Sequence, residues 1–122
     1  MITLELLQAC FNSIKDPFVF VDTSHIIRFM NQAAAVHYEK GFDLIGNSVL
    51  DCHNEESRKI IIEILSEMFA GLEEKLITDN DKQRIYMRVV RDAQGMVLGY
   101  YERYEAVTAK QQIKEQSIRN DG

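Results

Sequence analysis

Phe18-Val19-Phe20-Val21-Asp22-Thr23-Ser24-His25-Ile26-Ile27-Arg28-Phe29-Met30-Asn31-Gln32-Ala33-Ala34 is the stretch on which the reading of the fold turns. Two runs rich in β-branched and aromatic residues flank the polar turn Asp22 to His25, a pattern that folds as an antiparallel hairpin. From Asn31 to Tyr38 the composition becomes Ala-rich and favours helix. Two strands running into a short helix cannot bury a core alone, so the flanking sequence must supply further strands and a cover.

Upstream, Leu4, Leu7, Phe11 and Ile14 recur at helical spacing behind Thr3, a suitable N-cap, and Pro17 ends this amphipathic helix. Downstream, Gly41 and Gly46 punctuate a connector of short turns. The clearest helix runs from Glu55 to Ala70, with Ile60, Ile61, Ile64, Leu65, Met68 and Phe69 on one face and Arg58, Lys59, Glu63 and Glu67 on the other. Asp51 or Asn54 caps its start, and Gly71 suits its end. The last third reads as three strands, Glu73 to Thr78, Arg84 to Arg91 and Met96 to Val107, separated by Asp79-Asn80-Asp81 and Asp92-Ala93-Gln94-Gly95. This order predicts an α+β domain: a five-stranded antiparallel sheet with helices packed on one face and an N-terminal flanking helix.

Several short motifs then fall into one pattern. Val21-Asp22 with Ile26 to Ala34, Gly41-Phe42, Leu44-Ile45-Gly46-Asn47-Ser48, His53-Asn54-Glu55-Glu56, Arg91-Asp92-Ala93-Gln94-Gly95 and Leu98-Gly99-Tyr100 resemble, in order and spacing, the motifs of PAS domains. The resemblance implies a flanking helix over 1–15, a PAS core over 16–108 and the start of a C-terminal linker or signalling helix over 109–122. It departs from the family's pattern at Ala106-Val107-Thr108, where Asp-Ile-Thr is common, and at Asn54, where proline is common. The first departure removes a carboxylate that usually helps couple sheet to linker; the second leaves a residue that still caps a helix.

Composition narrows the function classes. The chain has 122 residues, enough for one domain with one core. Its net charge of −5, with acids and bases interspersed, provides no basic stripe for phosphates, so direct nucleic-acid binding is not expected. No secretory leader and no membrane segment are read, and a cytoplasmic location is expected. Cys10 and Cys52 form neither a C-x-x-C pair nor a disulfide framework, and Cys52 reads as a buried, inert thiol.

PAS domains hold small ligands between the concave sheet face and the connecting helices. With Arg28 and Arg88 facing water, alternation turns Ile27, Phe29, Met87 and Val89 inward; alignment with the family adds Val19 and Val21. On the final strand the face carrying Leu98, Tyr100, Glu102 and Tyr104 has the larger side chains and is expected to face inward. Val19, Val21, Ile27, Phe29, Met87, Val89, Tyr100, Glu102 and Tyr104 are therefore the candidate ligand-binding set. Glu102 stands out, because a carboxylate on an apolar face is costly unless paired. It is either a polar contact for a ligand, or a residue that lies at the sheet margin or bonds a tyrosine or a backbone group.

Haem is the sharpest cofactor hypothesis, with His53 as ligand and His37 as the weaker alternative, although the long helix itself carries no histidine. Flavin-cysteinyl photochemistry is not expected, since Gly46-Asn47-Ser48-Val49 stands where the light-sensing branch carries its reactive cysteine. Asp22, Ser24 and His25 have the residue types of a hydrolase triad but are crowded into one turn, so no catalytic site is assigned. The resemblance implies a sensor that passes its ligand state to an output domain or partner regulator. The alternative is a ligand-free module that homodimerises through the N-terminal helix and an outer sheet face bearing Phe18, Phe20, Tyr86, Val90 and Tyr101.

Overall fold

The computed structural model describes residues 1–107. The linker or signalling helix expected over 109–122 lies outside the described residues. Helix α1 (Leu4–Ser13) leads into strands β1 (Phe18–Asp22) and β2 (Ile27–Met30), then helix α2 (Gln32–His37). Two 3₁₀ turns, Gly41–Leu44 and Val49–Cys52, precede helix α3 (Glu55–Phe69) and the meander β3 (Glu74–Asp79), β4 (Gln83–Arg91) and β5 (Val97–Ala106). The five strands form one antiparallel sheet in the order β2-β1-β5-β4-β3.

Local chemistry sets the boundaries. Thr3, Asn31 and Asn54 each accept a hydrogen bond from a backbone amide of the first turn of α1, α2 and α3. Of the two residues considered for capping α3, Asn54 does so, at 2.8 Å from the Ser57 amide. The other end of α3 closes with two bonds, Leu72 N–H to Glu67 C=O and Gly71 N–H to Met68 C=O, around Gly71 at φ 120°. A side chain at that φ would be strained, which is why glycine stands there.

The core lies between the inner sheet face and α2, the 3₁₀ turns and α3. Val19, Val21, Ile27, Met30, Met87, Val89 and Tyr100 line it from the sheet, and Ile61, Ile64, Leu65 and Met68 from α3. Ile60 and Phe69, expected on that apolar face, are exposed instead. The i, i+3, i+4, i+7 stripe of α3 is the part the sheet buries, and the flanking positions of the wider apolar pattern keep much of their surface exposed.

Phe29 corrects a second expectation. The register slips between β1 and β2: Val19 faces Met30 and Phe20 faces Phe29, yet Val21 faces Ile27, so Arg28 is an extra residue on β2. Such a bulge breaks strict alternation. Ile27 and Met30 point inward while Phe29 points outward, its ring 5.2 Å from that of Phe11 on α1. A similar irregularity between Val90 and Arg91 leaves Leu98 exposed rather than inward.

On the outer face α1 packs through Phe11 against Phe18 and Phe29, and Tyr101 stacks on Phe18 with centroids 4.7 Å apart. No residue of α1 is buried. Its link to the core is Asn31, which is fully buried. The Asn31 amide nitrogen donates to the carbonyls of Phe11, Ile14 and Asp16, while its oxygen accepts from the amides of Phe18 and Ala34. One side chain thus ties the end of α1, the start of β1 and the cap of α2.

Candidate functional site

Glu102 occupies the centre of the inner sheet face. On β5 it pairs with Val19 of β1 on one side and Met87 of β4 on the other, and Tyr100 pairs likewise with Val21 and Val89. The margin position considered from sequence is therefore excluded, and the tyrosine contact is real: the Tyr104 hydroxyl lies 3.5 Å from Glu102 Oε2. That is a long bond. The same hydroxyl is 2.7 Å from the hydroxyl of Tyr38, at the end of α2. With Tyr104 donating to Glu102, Tyr38 donates to Tyr104, and three side chains from two elements form a relay.

A cavity of about 160 Å³ opens beside this relay, between α3 and strands β3 to β5. Its walls are aliphatic, from Ile60, Ile61 and Ile64 of α3, Ile77 of β3 and Met87 of β4. Its polar groups are Glu102, His53, Ser57 and Thr78. His53 sits at the C-terminal cap of the second 3₁₀ turn and is half-buried.

Ionisation follows from this enclosure. Glu102 is partly buried: its carboxyl lies among protein groups, and its unpaired oxygen reaches the cavity rather than being sealed, since no buried side-chain oxygen or nitrogen among the described residues lacks a partner. Burial raises its pKa, with the Tyr104 hydrogen bond opposing only in part. No cation pairs with it among the described residues, and Oε1 meets no donor there. Burial and then the Glu102 charge push the Tyr38 hydroxyl up to about 12 and the Tyr100 and Tyr104 hydroxyls higher still. His53 shifts downward through burial and the nearby Arg58 guanidinium, which favours neutral imidazole.

The other candidates fall in three places. Val19, Val21, Ile27, Met87, Val89, Tyr100 and Tyr104 are buried on the inner side; of these, Met87 lines the Glu102 cavity. Phe29 belongs to the outer face and is no part of this site. His37 is exposed on α2, where its ring packs edge-on against Tyr38 and Tyr104, and it is not among the cavity's lining residues. Cys52 is exposed, contrary to the buried thiol expected. Asp22, Ser24 and His25 serve the hairpin: Asp22 accepts from the Ser24 and Ile26 amides and pairs with Arg28 at 2.7 Å. His25 takes φ 64° and sets Nδ1 3.0 Å from the Tyr100 hydroxyl.

Haem does not fit the cavity beside His53. Ligand pockets for drug-sized molecules span roughly 300–1,000 Å³, and a cavity of about 160 Å³ beside His53 is too small for a macrocycle. Among the described residues no cluster of His, Cys, Asp and Glu could hold a metal ion. No helix among them is long and apolar enough to cross a membrane.

Sequence reasoning singled out Glu102 and His53 but did not bring them to one cavity. It also missed Tyr38, whose place at a helix end carries no strand alternation to read.

A single antiparallel sheet with helices on its inner face, and a half-open cavity bearing a carboxyl between α3 and the sheet, define an α+β domain. The model of the PAS fold family matches residues 11–112, and the chain belongs to that family. No curated protein matches it. Among solved structures it is similar to a C-terminal domain from Streptococcus mutans, with 16% identity, TM-score 0.75, and coverage of 92% of this chain and 90% of that one. It is also similar to a sensory box sensor histidine kinase from Vibrio cholerae, with 13% identity, TM-score 0.62 and coverage of 85% and 91%. The PAS domain of Bordetella pertussis BvgS gives 14% identity, TM-score 0.63 and coverage of 98% of both chains. Identities this low carry the fold alone.

Proposed function

We propose that this chain is a non-catalytic, cytoplasmic sensory module that binds a small ligand between α3 and the inner sheet face and transmits the bound state to a partner or output domain. The observation that carries this reading is the carboxyl of Glu102, placed on the central strand and opening on a cavity. A purely structural core gains nothing from such a group, since drawing a carboxyl out of bulk water onto an aliphatic face costs stability unless a partner meets it. A ligand touching Glu102 acts on β5, which is bonded to both β1 and β4, so occupancy biases the whole sheet. The similarity to a sensor histidine kinase supports a signalling role. Denaturing the purified protein and identifying the released small molecules by mass spectrometry tests the reading, together with thermal-shift measurements on a metabolite set. The expected result is a compound that raises Tm and loses its effect in Ile64→Phe, which fills the cavity. Release of nothing and stabilisation by nothing would count against it.

A second, compatible role has its own observation. An apolar groove of about 350 Å³ runs between α1 and the outer sheet face, lined by Leu4, Leu7, Phe11, Phe20 and Val90 among others, and Leu4, Leu6 and Leu7 are exposed. This surface suits pairing with a second copy of the chain, the homodimer expected from sequence. Analytical ultracentrifugation reads that association directly.

A further inference from the structure

The polar lining of the Glu102 cavity is one-sided in its chemistry. Glu102 offers a carboxyl with Oε1 unengaged among the described residues, His53 a neutral imidazole, and Ser57 and Thr78 hydroxyls that accept as readily as they donate. Neither lysine, arginine, asparagine nor tryptophan is among the lining residues. The site therefore offers hydrogen-bond acceptors and one carboxyl that has no cationic partner among the described residues.

Size narrows the ligand further. A cavity of about 150 Å³ walled by aliphatic side chains accommodates a benzene-sized molecule, and this one measures about 160 Å³. Its remaining walls are isoleucine and methionine. The complement is a compact aliphatic body of about six non-hydrogen atoms with a cationic donor head.

We propose that the cavity binds a small organic cation, a primary alkylammonium, with its N–H donors on Glu102 and His53 and its hydrocarbon against α3. This rests on the ligand-binding reading above and assigns the ligand its charge. The ammonium supplies the cationic partner that Glu102 lacks, and ionic hydrogen bonds exceed neutral ones of the same geometry in strength.

Three probes of nearly one shape separate the possibilities: 3-methylbutylamine, 3-methylbutanol and 3-methylbutanoate, titrated calorimetrically into the intact protein at constant ionic strength. The amine is expected to bind about tenfold tighter than the alcohol, the acid not at all, and Glu102→Gln to remove the amine's advantage while leaving the Tm of the free protein within a few degrees. Alcohol binding as tight as amine, or undiminished amine binding by Glu102→Gln, overturns the cationic assignment; loss of that binding in Ile64→Phe would then show that the cavity still takes ligands. Binding by none of the three overturns both the assignment and the cavity reading on which it rests. The wild-type comparison of amine with alcohol decides the question even if the Glu102→Gln chain folds poorly.

Discussion

Glu102 makes a pH dependence unavoidable. Its carboxyl has a folded-state pKa raised above 4.5 by burial, so the native protein holds a proton there after the unfolded chain has released its own. Stability from this group is complete below the ordinary carboxylate pKa and is lost as pH rises towards the raised value. Urea denaturation of wild type and Glu102→Gln at a series of pH values should show wild type losing stability relative to the variant from about pH 4.5 upward. A constant difference across that range would place the carboxyl in water. This residue was legible in the sequence because β5 alternates regularly between Tyr100 and Tyr104. Asn31 was not, since its partners are backbone groups up to 20 residues away, which no side-chain pattern announces. The link of His25 to Tyr100, 75 positions apart, was hidden for the same reason.

The elements themselves were readable wherever propensity, capping and periodicity agreed, as in α3 with Asn54 before it and Gly71 after it. What was not readable is how far one surface covers another. Bulges at Arg28 and Leu98 each reverse the facing of a neighbour, and a one-residue slip exchanges inside for outside without altering composition. The correction at Phe29 changes the meaning of α1, because Phe29 joins Phe11 and Phe18 in an outer aromatic cluster instead of the inner sheet face. With no residue of its own buried, α1 draws its stability from that cluster and from whatever lies on its free side. Leu7→Glu places a charge in the groove without touching the inner core. It should shift a dimer to monomer in ultracentrifugation while the Tm, taken at low concentration, moves by only about 2–4 °C. An unchanged sedimentation profile would remove α1 from the interface.

The whole molecule closes at one seam. β1 and β5 come from opposite ends of the described chain and meet in an antiparallel ladder that ends at Asp22 and Gly99. Gly99 has φ 152°, and a Cβ there would lie 2.0 Å from the Val21 carbonyl oxygen, so the backbones approach more closely than any side chain allows. Gly99→Ala must push the strands apart at the join between the two halves of the sheet. A loss of more than about 3 kcal/mol is expected in urea unfolding, and a variant within about 0.5 kcal/mol of wild type would show that the seam yields freely.

That seam also fixes an order of assembly. The strand that completes the sheet is central in space and last among the described strands in sequence. As the chain emerges during synthesis, the N-terminal hairpin and the β3-β4 hairpin are both made before the strand that joins them, and each waits with an open edge towards the missing centre. Completing the sheet therefore waits on a contact across most of the chain, the kind of long-range pairing that slows folding. Chains released before β5 would expose two edges that lack the strand built to cover them, leaving premature termination products open to association.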